Sequence, residues 1–99
     1  MVARIGAWEG TPEELERWVG RSREQVMPAV RQQPGLHGAY WLIDRAAGKA
    51  LTITIWESEA AMLASEQFRT HTQAGTAAAS GAAVTTDRYE IVASLTPSA

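Results

Sequence analysis

From Ala50 to Glu57 the chain alternates with period two, and its Leu51-Thr52-Ile53-Thr54-Ile55-Trp56 core is the clearest β-strand in the sequence. Leu51, Ile53 and Ile55 fall on one side of this strand, opposite Thr52, Thr54 and Trp56. Leu36–Asp44 reads as a second strand, rich in aromatic and branched residues, with His37, Ala39, Trp41 and Ile43 opposing Leu36, Gly38, Tyr40 and Leu42. The intervening Arg45-Ala46-Ala47-Gly48-Lys49 has the length and glycine of a hairpin turn. Both sides of this hairpin carry large apolar side chains. A sheet with helices on one side ordinarily shows water a polar second face, so this pattern predicts helices on one side and a partner on the other.

The flanking segments supply the helices and the remaining strands. Val2–Trp8 reads as a strand, and Thr11-Pro12-Glu13-Glu14 as a helix start: Thr11 as N-cap, Pro12 in the first helical position, Glu14 completing a capping box. Leu15, Trp18, Val19, Ser22, Val26, Ala29 and Val30 recur at three- and four-residue steps along one mostly apolar face. Pro28 lacks a backbone donor and predicts a kink near residues 24–28, and Pro34-Gly35 ends the helix. Ser58 caps a second helix over about 59–72; the Ala, Thr and Gly residues of 73–80 fit either a weak extension or a loop, ending at Gly81. Val84–Leu95 is a last strand and residues 96–99 a frayed tail. The order βαββαβ predicts an α+β, ferredoxin-like sandwich: a four-stranded antiparallel sheet with both helices on one face, as one domain over residues 1–95. Packing the second face against a copy of itself is the cheapest cover, so a homodimer is expected.

Composition narrows the function. The 99 residues are 45% hydrophobic and 20% charged, with a formal charge of −2 and a pI near 5.6. That balance excludes a strongly basic nucleic-acid surface and a polybasic membrane anchor. Zero cysteines exclude disulfides, Cys-ligated metals and a thiol nucleophile. No apolar run reaches the ~18 residues of a membrane span and no signal peptide opens the chain, so a cytoplasmic location is expected. No His/Asp/Glu spacing resembles a metal site, and no phosphate loop or Gly-x-Ser-x-Gly elbow occurs. Arg17, Arg21, Arg23 and Arg31 on the first helix are offset by Glu13, Glu14, Glu16 and Glu24, which predicts a solvated, ion-paired face.

Three stretches carry a resemblance: Ile5-Gly6-Ala7-Trp8-Glu9, the Gln33-Pro34-Gly35-Leu36-His37-Gly38 turn, and Trp56-Glu57-Ser58-Glu59-Ala60-Ala61. With the element order they resemble the dimeric α/β barrel proteins, in particular the antibiotic-biosynthesis monooxygenase type, over about residues 2–93. The resemblance implies a dimer of two facing sheets, with a ligand cleft in each subunit between sheet and helices. It also implies three lines of function: cofactor-independent oxygenation of planar aromatic polyketides or quinols, haem degradation, or a barrel protein that binds a ligand without chemistry.

Haem degradation in this resemblance calls for an Asn on the first strand, where Gly6 stands, and a Trp near the position of Ser65. Only His71, at the family's spacing from Phe68, matches as an iron ligand. Cofactor-free oxygenation calls for less, and the expected site has no cofactor and no metal. Arg4, Gly6 and Trp8 share a face of the first strand, which the match at Gly6 turns toward the cleft. Gly6 leaves room for a ring, Trp8 stacks on it, Arg4 stabilises an enolate or phenolate, and His71, with an ordinary pKa near 6.5, is the base. Trp18 and Phe68 are further substrate-binding candidates. The competing expectations are core packing for Trp8, a salt bridge from Arg4 to Glu90 or Asp87, and a space filled by Trp18, Phe68 and Leu63. Trp41 is expected at the dimer interface, and His37, Tyr40 and Tyr89 as ordinary turn and sheet residues.

Overall fold

The computed structural model describes residues 1–97; of the tail expected over 96–99, residues 98 and 99 lie outside the described residues. Its strands are β1 (Val2–Glu9), β2 (Leu36–Asp44), β3 (Lys49–Trp56) and β4 (Ala83–Glu90), and its helices α1 (Pro12–Arg21), α2 (Met27–Arg31), α3 (Glu59–Ala64) and α4 (Glu66–Ser80). The strands form one antiparallel sheet in the order β2-β3-β1-β4, the ferredoxin-like arrangement expected from the element order.

Local chemistry sets most boundaries. Thr11 Oγ1 accepts from the Glu14 N–H at 3.2 Å, and Glu14 Oε1 accepts from the Thr11 N–H at 2.8 Å, closing the capping box that starts α1. Pro28 acts as expected, and its effect begins upstream. Residues Ser22–Val26 are wound as a π-helix, the Met27 N–H reaching back five residues to the Ser22 carbonyl, and α2 begins anew with Pro28 in its first turn. Gly35, at φ +80°, makes the turn into β2, and a Cβ there would lie 2.5 Å from the Ala61 Cβ, so the turn also seats α3.

The structure corrects four sequence expectations and settles one that was open. The helix expected over 59–72 breaks at Ser65, whose φ of −91° and ψ of 2° leave the helical well. The Ser65 hydroxyl donates to the Met62 carbonyl at 2.7 Å, and Arg4 Nη2 donates to the same oxygen at 2.8 Å. A side chain from β1 thus draws off a carbonyl that a continuous helix would use. The ambiguous 73–80 stretch is helical to Ser80, held to α1 by Arg17 Nε donating to the Ser80 carbonyl at 3.1 Å and Arg21 Nε donating to Thr76 Oγ1 at 3.3 Å. Two of the arginines expected in surface ion pairs therefore fasten the helices together. The last strand stops at Glu90 rather than Leu95: Glu90 pairs with Val2, the first residue of β1, and the Ile91 N–H donates to the Met1 carbonyl at 3.0 Å. Finally, a register shift between Leu36 and Gly38 places Leu36 opposite Trp56, so strict alternation from Leu36 to Leu42 fails at His37.

Register then sorts the two faces. Arg4, Gly6 and Trp8 pair across to Thr54, Thr52 and Ala50, and with Trp41 these form the face under the helices. Ile5, Ile53, Tyr40, Leu51, Leu42 and Tyr89 share the opposite face, where Tyr40, Leu42, Leu51 and Tyr89 are exposed. Trp8, Leu15, Trp18, Ala50 and Ala82 make the fully buried cluster between sheet and helices.

Candidate functional site

The inner face of β1 steps from filled core to hollow in three residues. Trp8 belongs to the buried cluster, Gly6 has no side chain, and Arg4 is a buried cation at 4% exposure. Above this strand lies a cavity of about 60 Å³. All four of the chain's tryptophans line it: Trp8, Trp18, Trp41 and Trp56. Trp8 and Trp18 meet at 6.1 Å between ring centroids with a 51° tilt, a favourable inclined pair. Trp8 Nε1 donates to Thr52 Oγ1 at 3.3 Å and Trp56 Nε1 to Thr54 Oγ1 at 3.0 Å, so two of the rings are fixed by the strand beneath them. Trp18, Ser22 and Trp41 also wall a surface groove of about 370 Å³ alongside β2. Trp41 is thus a shared wall under the helices rather than an outer-face residue.

The polar end is built around Arg4. Its Nη1 donates to Ser65 Oγ at 3.2 Å, and Nη2 donates to the Met62 carbonyl and to Glu66 Oε1, both at 2.8 Å. The guanidinium carbon lies 5.7 Å from the Trp56 ring centroid, within cation–π range. The ion pair expected with Glu90 or Asp87 is instead made with Glu66; Asp87 pairs with Ile5 on the opposite face. Arg69 Nη2 donates to Glu66 Oε2 at 2.6 Å and its Nη1 to Gln73 Oε1 at 2.9 Å. Glu66 therefore serves two cations, and its carboxyl is held below the usual range, first by the hydrogen bond from Arg69. Burial lowers the Arg4 pKa, partly offset by Glu66; an arginine starts so high that it stays charged. The Nε groups of both Arg4 and Arg69 are buried without a hydrogen-bond partner.

Gln73 Oε1 also accepts from Thr86 Oγ1 at 3.0 Å, spanning from α4 to β4 across Gly6. A Cβ on Gly6 would meet Gln73 Nε2 at 3.3 Å, so the space expected for a ligand ring is shared with this amide.

Of the residues singled out from sequence, Arg4, Gly6, Trp8, Trp18 and Phe68 all line this same cavity. His71 does not: it is exposed on α4 and outside the cavity wall. Leu63 is 45% exposed and fills nothing. Arg69, Gln73 and Glu66 went unread in the sequence, although helical spacing contained the signal. At about 100° per residue, positions 69, 72, 73 and 76 share a face with Phe68 at its margin, whereas 71 lies roughly 200° from 69. Among the described residues no group of three or more His, Cys, Asp or Glu side chains is placed to hold a metal, and no helix is long and apolar enough to cross a membrane.

A haem does not fit these residues. His71 is exposed and outside the cavity lining, Gly6 offers no side-chain amide, and His37, the other histidine, is exposed beside the strand irregularity.

Comparison with known proteins identifies the family and the fold. The model of the family described as Antibiotic biosynthesis monooxygenase matches residues 1–77. An uncharacterised protein of Mycobacterium tuberculosis (strain ATCC 25618 / H37Rv) is 29% identical over 93 residues, covering 94% of this chain and 42% of its own length. The chain therefore spans less than half of such curated relatives. A Streptomyces coelicolor monooxygenase solved with Nanaomycin D superposes with a TM-score of 0.74 at 16% identity, covering 98% of this chain and 91% of that one. The heme-degrader MhuD of Mycobacterium tuberculosis, solved with two hemes in its active site, superposes at 0.68 with 25% identity, covering 97% and 100%.

Proposed function

The chain belongs to the antibiotic biosynthesis monooxygenase family, and from that membership and its tryptophan-lined cavity we propose that it binds a planar aromatic small molecule between sheet and helices and oxygenates it without a bound cofactor. The observation that carries this reading is the convergence of every tryptophan on one cavity with a buried cation at its end. Indole rings present π faces to a flat ligand, and a guanidinium stabilises the oxyanion of a phenolate or enolate. Such an anion supplies its own electrons to O₂. A methylene flanked by two aryl rings loses two hydrogens and gains one oxygen as a ketone, and the second oxygen leaves as water. In this proposal Arg4 holds the anion, Trp8 and Trp18 form the stacking wall, and Gly6 and Phe68 shape the space.

The cavity's about 60 Å³ is less than the ~150 Å³ that accommodates benzene in an engineered apolar cavity. Ring binding therefore requires a wall to yield. Trp41 and Phe68 are only half-buried, and Trp41 stands in the wall shared by the cavity and the groove beside β2.

We also read the apolar outer face as covered by a second copy of the chain. Tyr40, Leu42 and Leu51 are exposed on it beside Ile5 and Ile53, on a face that in a solvated sheet would be polar. Sedimentation at micromolar concentration gives a dimer if this is right and a single subunit if it is wrong.

Oxygen uptake with anthrone and 1-naphthol tests the catalytic reading. Turnover that falls in Arg4→Met supports it; no uptake with either compound overturns it. The second reading is a module that binds the aromatic without transforming it. The observation favouring it is that, among the described residues, neither His, Asp nor Glu lines the cavity to take a proton. Calorimetric binding of 1-naphthol without oxygen uptake identifies that case.

A further inference from the structure

The cavity wall has an unusual inventory of polar groups. Among the described residues it carries two guanidiniums, Arg4 and Arg69, and no acidic or imidazole side chain. Glu66, just behind the wall, has both carboxylate oxygens engaged, Oε1 by Arg4 and Oε2 by Arg69. Two cations sharing one anion leave the cluster with a net positive charge. Each cation also retains a buried Nε–H with no partner. Arg4 is 4% exposed, so its unpaired donor has no access to bulk water. A cation without its own counter-ion in such surroundings is costly, and an oxyanion brought into the cavity would balance the charge.

From this we propose that the site selects its aromatic ligand in the ionised state: a planar ring system bearing a carboxylate or phenolate, the oxyanion received between Arg4 and Arg69 and the rings against the tryptophans. The inference rests on the aromatic reading of the cavity and adds the charge state. It also accounts for the absence of a base from the wall. A ligand that arrives already deprotonated needs none, and the two cations favour that form of any ligand that titrates near neutrality. Arg69 becomes the specificity-determining residue. It holds Glu66 and Gln73 as well, and it is less buried than Arg4, so it is open to substitution without emptying the core.

Isothermal titration with 2-naphthoate and with its uncharged isostere 2-naphthamide, at pH 7 in low salt, tests the proposal. The wild type is expected to bind the carboxylate about ten- to a hundredfold more tightly than the amide. Arg69→Gln is expected to lose most of that ratio, read as the two affinities compared within the variant. Arg4→Met, its fold verified by circular dichroism, serves as the second variant and is expected to lose the ratio as well. Equal affinity for the two compounds overturns the charge selectivity and leaves the aromatic reading standing. Failure of both to bind overturns the aromatic reading and this inference with it. A ratio that survives in Arg69→Gln but collapses in Arg4→Met removes Arg69 from the assignment.

Discussion

The space between sheet and helices has two ends that solve the same packing problem in opposite ways. At the Trp8 end, Leu15 and Trp18 of α1 close onto Ala50 and Ala82, large side chains meeting small ones in a dry cluster. At the Arg4 end, a cation replaces the hydrophobe, α4 presents Arg69, Gln73 and Thr76 where α1 presents Leu15 and Trp18, and a cavity remains. The first end is held by apolar burial, which is non-directional and tolerant of local rearrangement. The second is held by hydrogen bonds and ion pairs with fixed geometry, and removing one partner strands another. The lesson is that this domain keeps a dry core at one end of a strand and a polar, partly hollow site at the other, the four residues from Arg4 to Trp8 being enough to separate them.

Substitutions at the two ends should diverge accordingly. Leu15→Ala, at 1% exposure, should cost the most, about 3–5 kcal/mol in urea unfolding, with little effect on the charge selectivity measured by calorimetry. Glu66→Gln should cost about 1–3 kcal/mol, because it leaves the buried Arg4 cation uncompensated. The same carboxylate makes a pH prediction. Arg69 and Arg4 hold its pKa below the unfolded value of about 4.3. Its contribution is therefore fully present above that value and is lost as pH falls through the folded one. Urea midpoints of the wild type should drop more steeply below pH 4.5 than those of Glu66→Gln; parallel curves would show that Glu66 contributes nothing.

Gly6→Ala lies between the two ends and should cost about 1 kcal/mol. The added methyl presses on Gln73 Nε2 and Trp8 Nε1, at 3.3 and 3.4 Å, so binding of 2-naphthoate should weaken more than stability does. Equal losses would mean that Gly6 serves packing alone. The smallest effect is expected for His71→Ala, which should change stability by less than about 0.5 kcal/mol and leave ligand binding unaltered. A clear loss of binding there would show that α4 turns in solution to bring His71 inward.

How much of this was readable beforehand follows from the range of each interaction. The α1 capping box, the disturbance before Pro28 and the Pro34-Gly35 stop depend on residues within a turn of one another, and all three are present. The site was half legible. Period two on β1 correctly joined Arg4, Gly6 and Trp8, but on α4 a familiar spacing drew attention to His71 when helical phase pointed to Arg69 and Gln73. The break at Ser65 could not be read locally, because the group that stabilises it comes from Arg4, 61 residues away.

The sequence by itself determined the order of elements, the two apolar sides of the central strands and the cation on β1, since these depend on composition and period. Tertiary structure alone decided that Arg4 pairs with Glu66, that the second helix divides in two, and that Trp41 faces the cavity beside the other three indoles. Those outcomes require groups distant along the chain to meet at hydrogen-bonding distance, and strand register and helix phase bring them there.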